Sequence, residues 1–163
     1  IGGKGQDLRS RGAEIAYNHA QQMMKKYPGI KIVGMGDMND DPFDDSMAVY
    51  YHARKNLDEV TSEQDFFNPY WKMIEDGYGS LCYQGTWSIY DQELVNYNLA
   101  HAKEGTLQIQ PIGKNGYYGY IFKRPFMTEQ KGQYKGYPFR TFRGGAFIGG
   151  YSDHYPTFVV IGK

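Results

Sequence analysis

Apolar residues recur at three- and four-residue steps between positions 10 and 27: Ala13, Ile15, Ala16, Ala20, Met23, Met24 and Tyr27. That spacing gathers them on one side of a helix. Ser10 is placed to cap its start, Lys25 and Lys26 suit the negative end of its dipole, and Pro28-Gly29 ends it. The next run, Lys31-Ile32-Val33-Gly34-Met35, is short, apolar and partly β-branched, and reads as a buried strand. A polar loop from Gly36 to Pro42 follows it. Asp45-Ser46 predicts a second helix to about His52, and residues 68–76, which contain Trp71, predict a third. Strands are predicted over 80–83, over 89–97 where apolar and polar residues alternate, over 105–112, and over 155–161. Residues 114–150, rich in Gly, Tyr, Phe, Lys and Arg, predict a long ordered loop. Helix, turn and strand followed by further strands predict a mixed α/β (α+β) class in a single domain over residues 1–163.

Composition narrows this. With 163 residues, 40% hydrophobic and 22% charged, the chain is globular rather than disordered or fibrous. The 16 Tyr and 21 Gly favour twisted β structure with ordered loops over a helical bundle. A single cysteine, Cys82, excludes an intramolecular disulfide and any multi-Cys zinc site. The apolar runs are too short for a transmembrane segment. The chain opens without an apolar signal region or an initiator Met, so an upstream piece is expected and the compartment stays open, secreted and periplasmic locations included. Net charge is zero, which argues against a strongly basic nucleic-acid binder. The charge is blocked, however. Residues 37–66 carry nine Asp/Glu against two Lys/Arg, whereas residues 121–163 carry seven Lys/Arg against two Asp/Glu. An acidic centre beside a basic flank suits a site that holds a cation and an anionic substrate together, or simply a solvated surface.

Three polar clusters stand in apolar surroundings. The first, Asp37-x-Asn39, follows a strand, and its carboxylate can bind a hard cation or orient water while its carboxamide can donate to a phosphoryl oxygen. An Asp/Asn-rich turn is the plain structural reading. A calcium-binding EF-hand loop fails, because Pro42 stands where Gly is required and Ala48 where Glu is. The second cluster is Asp91, a carboxylate in a strand, which needs a partner or an exposed position. The third is Ser152-Asp153-His154, just before the last strand. Neighbouring residues there point different ways, so His154 needs a carboxylate other than Asp153 to act as a base. A serine-hydrolase elbow breaks at His154 after Gly150-Tyr151-Ser152-Asp153.

In this order the three clusters, Gly36-Asp37-Met38-Asn39-Asp40-x-Pro42, Tyr90-Asp91-Gln92-x-Leu94-Val95 and Ser152-Asp153-His154-Tyr155-Pro156, resemble the endonuclease/exonuclease/phosphatase family, the DNase I-like fold. They are similar to that family's G-D-x-N, I-D-q-x-x-x-S and S-D-H-x-P motifs. The helix with Arg9 and Arg11 at its start resembles the segment before the first motif. Asn96 departs from the pattern, standing where the family often has Ser.

The resemblance implies a hydrolase of phosphate esters that uses Mg²⁺ or Mn²⁺, with Ca²⁺ as an alternative, and water as nucleophile. Asp37 would orient the water and lie near the metal, Asn39 would hold a phosphate oxygen, and Asp91 would fix the tautomer of His154. His154 would act as base or as a charged stabiliser, and Asp153 would bind the metal. The basic, aromatic stretch 121–145 is a candidate substrate wall, with Arg140 and Arg143 its best candidates for contact; Trp87 reads as packing. Nucleic acid, inositol phosphate and lipid head groups are the substrates the resemblance leaves open. The family's domain opens with a strand ending in Asn and then a metal-binding Glu. Neither precedes Ile1, so the chain is expected to be the later half of a four-layer α/β sandwich, with the N-terminal half as structural partner, and the activity is expected of the intact protein rather than of this piece alone. The other readings are a non-catalytic calcium- or glycan-binding β module, or a degenerate relative that serves as a binding protein.

Overall fold

The computed structural model describes residues 5–163. Helix α1 covers Gln6–Lys26, four residues earlier than its apolar spacing suggests. Its N-cap is Gly5, in the left-handed conformation, and not Ser10, which lies inside the helix and is buried. Burial of Ser10, Ala13, Ala20 and Met24 marks the face turned inward.

Among the described residues strand β1, Val33–Asp37, pairs only with β6, Asp91–Asn96, and lies at the edge of its sheet. It is not the buried strand its composition suggests, since Met35 is 69% exposed. Gly34 is required there: a Cβ would come 2.1 Å from the Tyr51 hydroxyl. The expected second helix is a π-helical turn, Ser46–Tyr50, and the third is the short α2, Trp71–Glu75. Two strands of two residues each, β2 (Ala53–Arg54) and β3 (Phe66–Phe67), complete a four-stranded sheet in the order β1-β6-β3-β2, in which β2 and β3 run parallel.

Beyond it, β4 (Leu81–Tyr83) and β5 (Thr86–Ser88) form a hairpin, and α3 (Tyr97–Ala100) follows β6. Strand β7 is Gln108–Gln110. Residues 114–150 are more structured than a loop. They hold β8 (Gly119–Ile121), two 3₁₀ turns, and a small hairpin of β9 (Phe142–Arg143) and β10 (Ala146–Phe147). The last strand, β11 (Thr157–Gly162), lies between β7 and β8 in a second, antiparallel sheet.

The two cores lie on opposite faces of β6. Leu94 packs with Phe66, Tyr51 and Met24 under α1, whereas Val95 packs with Phe67, Ile109 and Val159 toward the second sheet. Successive strand residues point to opposite faces, and here both faces are covered, so Leu94 and Val95 are each 0% exposed. A third cluster, around Tyr70, Met73 and Ile89, closes one end. Mixed helices and several sheets make this an α+β architecture, which fits the expected DNase I-like fold.

Candidate functional site

Antiparallel register sets Asp37 opposite Asp91, and Met35 opposite Glu93. Residues directly opposite share a face. Asp37, Asp91 and Glu93 therefore lie on the side of the first sheet that faces β11. Gln92, Leu94 and Asn96 lie on the α1 side.

The segment entering β11 delivers His154 to Asp91. The imidazole Nδ1 is 2.9 Å from Asp91 Oδ2 and 3.2 Å from Oδ1. Ser80, wholly buried, donates its hydroxyl to the same Oδ2 at 2.6 Å, and its carbonyl accepts from the Tyr155 amide at 2.7 Å. The result is a Ser80–Asp91–His154 relay in which Nε2 has no hydrogen-bond partner among the described residues. The bond to Asp91 is the main influence raising the His154 pKa above its ordinary value; burial opposes it, and the charges of Asp91, Asp153 and Asp37 add to it. His154 thus feels all three carboxylates, and its protonated form is favoured. Its amide donates to Ser152 Oγ at 3.1 Å, which shapes the turn.

Asp37, Asn39 and Asp153 are exposed. Asp37 Oδ1 accepts the Asn39 amide at 2.9 Å, an Asx turn, and Asn39 adopts φ 54°, a conformation that Asn tolerates. Asn39 therefore has a backbone reason for its identity, and its carboxamide has no partner among the described residues.

The loop after β1 is fixed by residues whose partners are remote in sequence. Asp40 is 4% exposed and pairs with Arg9 at 2.8 Å and with the Ser46 hydroxyl at 2.6 Å, which ties the first turn of α1 to the loop. Asp41 accepts the Ile89 amide at 2.7 Å, and burial pushes its carboxyl pKa up. Gln92 donates to the carbonyls of Asp40 at 2.7 Å and Ile89 at 2.8 Å, and accepts from Asn68 at 2.7 Å. Asn96 holds the Ile30 carbonyl and the Ile32 amide, each at 2.9 Å, so the departure from Ser serves the α1–β1 junction. On the site face, Glu93 accepts from Tyr70 and, at 3.1 Å, from Thr157; burial is the main cause that raises its pKa.

The candidate substrate residues divide. Arg143 is paired with Glu129 and stacks over the Tyr134 ring at 4.2 Å. Arg140 is half-buried with no hydrogen bond or ion pair among the described residues. Both line a cavity of about 390 Å³. A separate cavity of about 500 Å³ is lined by Tyr78, Trp87, Tyr117 and Lys123, and contains none of the expected site residues. Trp87 stacks on Tyr155 at 6.3 Å, and the Lys123 ammonium sits 4.9 Å from its ring.

For a hard cation, Asp37 and Asp153 are donors of the right chemistry, since Mg²⁺ commonly takes one or two carboxylates and completes its shell with water and substrate phosphate. Among the described residues no group of three or more His, Cys, Asp or Glu converges to hold a metal ion. Among them, too, no helix is long and apolar enough to cross a membrane.

Neither the curated proteins nor the solved structures give a match to this chain. The family comparison does: residues 1–163, the whole length, match the Endonuclease/Exonuclease/phosphatase family, a family of phosphoesterase type. With the relay and the two motif loops meeting at the β1–β6 end of the sheet, the chain belongs to the endonuclease/exonuclease/phosphatase family.

Proposed function

We propose that this chain is a divalent-metal-dependent phosphoesterase that hydrolyses a phosphodiester or phosphomonoester by attack of water. The observation that carries the reading is His154 Nδ1 at 2.9 Å from Asp91, which leaves Nε2 available to a substrate. Orienting an imidazole through one nitrogen so that the other can work is the geometry of acid–base and electrostatic catalysis.

In this reading Asp91, held by Ser80, fixes the His154 ring and its tautomer. The raised pKa favours imidazolium, so His154 stabilises charge on the phosphoryl oxygens and can protonate the leaving oxygen. Asp37 orients the attacking water. Asn39 donates its carboxamide to a phosphoryl oxygen. Mg²⁺ or Mn²⁺, held by Asp153 and Asp37, would neutralise phosphate charge and lower the pKa of bound water.

The test is hydrolysis of bis(p-nitrophenyl) phosphate with Mg²⁺ or Mn²⁺, against EDTA, for the wild type and His154→Ala. Turnover that EDTA abolishes, and that falls roughly 10²–10⁴-fold in the variant, supports the reading. Turnover indifferent to both would refute it.

A further inference from the structure

The cavity of about 390 Å³ is lined by residues from 82–85 and 133–143, two stretches tied to the segments that carry Ser80 and His154. Strand β4 begins just after Ser80, which holds Asp91, and two of its residues, Cys82 and Tyr83, form one wall. The rest of the lining comes from the stretch that carries Arg140 and Arg143. It is fastened to the approach of His154: the Tyr151 amide donates to the Phe139 carbonyl at 2.7 Å, and the Thr141 hydroxyl donates to the Tyr151 carbonyl at 3.1 Å. Gly150 permits this closeness, since a Cβ would lie 2.2 Å from the Phe139 carbonyl oxygen and 2.3 Å from that of Arg140. A ligand in the cavity is thus held by chain continuous with the relay.

The lining has a definite chemistry. Tyr83, Tyr134 and Tyr137 offer rings, with Tyr134 and Tyr137 edge-to-face at 5.8 Å. Arg143 is committed to Glu129 and to the face of Tyr134. Among the described residues Arg140 has no counter-ion, and a half-buried, partly desolvated cation calls for an anion. Rings beside that cation suit a planar, π-faced group carried by the same ligand. A volume of about 390 Å³ lies in the range of small-molecule sites.

We propose that this cavity is a nucleotide subsite, in which a base stacks on the tyrosines and its phosphate meets Arg140. The proposal rests on the phosphoesterase reading only in making the bound nucleotide part of the substrate; binding itself can be measured without turnover.

The experiment is calorimetric titration of the full chain with adenosine 5′-monophosphate, inorganic phosphate and inositol 1-phosphate, repeated on Arg140→Gln and Tyr83→Ala. The expected result is that the nucleotide binds at least tenfold more tightly than either other probe, and that each substitution weakens it at least tenfold. Tyr83 is 56% exposed, so its replacement leaves the fold intact and keeps the test decisive if Arg140→Gln unfolds. Nucleotide affinity equal to that for inorganic phosphate or inositol phosphate, or unmoved by both substitutions, would overturn the proposal. Hydrolysis of bis(p-nitrophenyl) phosphate is assayed on the same wild-type sample. Nucleotide binding without turnover defeats the phosphoesterase reading alone, whereas turnover without nucleotide binding defeats the subsite alone.

Discussion

Replacing Asp91 by Asn and by Ala separates the two bonds that meet on its carboxylate. His154 Nδ1 lies 2.9 Å from Oδ2, and the Ser80 hydroxyl lies 2.6 Å from the same oxygen. A hydrogen bond with a charged partner contributes about 1.5–3 kcal/mol net. The His154 and Asp91 side chains are 20% and 23% exposed, so solvent screening places the pair at the lower end, about 1.5–2 kcal/mol. Asn keeps an acceptor for Nδ1–H, and the Ser80 hydroxyl can turn to accept from the new amide. Ala offers neither, and Ser80, wholly buried, loses its acceptor at a further cost of about 1–3 kcal/mol. Asp91→Ala should therefore be less stable than Asp91→Asn by roughly that amount. A double-mutant cycle of Asp91→Ala with His154→Ala should give a coupling of about 1.5–2 kcal/mol, because Ala removes the bond to Nδ1 and the loss at Ser80 cancels around the cycle. The assay is urea unfolding at pH 6, where the raised pKa keeps His154 charged. Equal stability of the Asn and Ala variants, or a coupling below about 0.5 kcal/mol, would refute the relay as the source of the orientation.

Other outcomes follow from the same structure. Glu93→Gln tests a buried carboxyl whose folded-state pKa is raised; such a group contributes stability below its unfolded pKa and loses it as pH rises through the folded one. The variant should match wild type near pH 4 and be more stable at pH 8, and a pH-independent difference in unfolding free energy would contradict this. Gln92→Leu removes three buried hydrogen bonds and strands the partners of each. It should cost roughly 2–4 kcal/mol in chemical denaturation, and a near-neutral result would show that the Asp40 loop is not held from β6. Gly150→Ala forces a Cβ against two backbone oxygens and should cost about 1–3 kcal/mol in thermal unfolding, because backbone cannot swing aside as a flexible side chain can. Asp153→Ala should raise the Mg²⁺ concentration needed for half-maximal hydrolysis about tenfold or more while leaving the melting temperature within a few degrees, since Asp153 is exposed.

The site motifs were legible because polar residues interrupt apolar segments at strand ends, and such interruptions are costly unless they have a use. Helix α1 was legible from its period, but its start was not. Gly5 in the left-handed conformation ends it without a side-chain cap, so Ser10 offered the nearest familiar signal and was the wrong one. Strand β1 has the composition of an interior strand because its glycine admits the Tyr51 ring, not because both edges are paired. Strands β2 and β3, two residues each, are too short to carry a period. Ser80 and Glu93 escaped notice because Asp91 and Thr157 lie 11 and 64 residues away, and the motif that contains Asp40 gives no sign of its pairing to Arg9, 31 residues away. Gln92 and Asn96 did carry a signal: they share parity with Leu94 on β6, and polar residues on a core-facing parity have to be partnered.

The register that sets Asp37 opposite Asp91 has a consequence for how the molecule can evolve and be engineered. Like charges facing each other across two strands oppose the pairing that creates them. The sheet end at the site is thus held together against its own electrostatics by the remainder of the β1–β6 ladder and by the Asp40 and Asp41 anchors. Selection for thermal stability alone, with activity unscreened, should remove one of these two charges, Asp37 first because it has no ion-pair partner among the described residues. Variants recovered that way would melt higher and, on the proposed phosphoesterase reading, hydrolyse less, the exchange expected when a functional arrangement is a local fault in the fold.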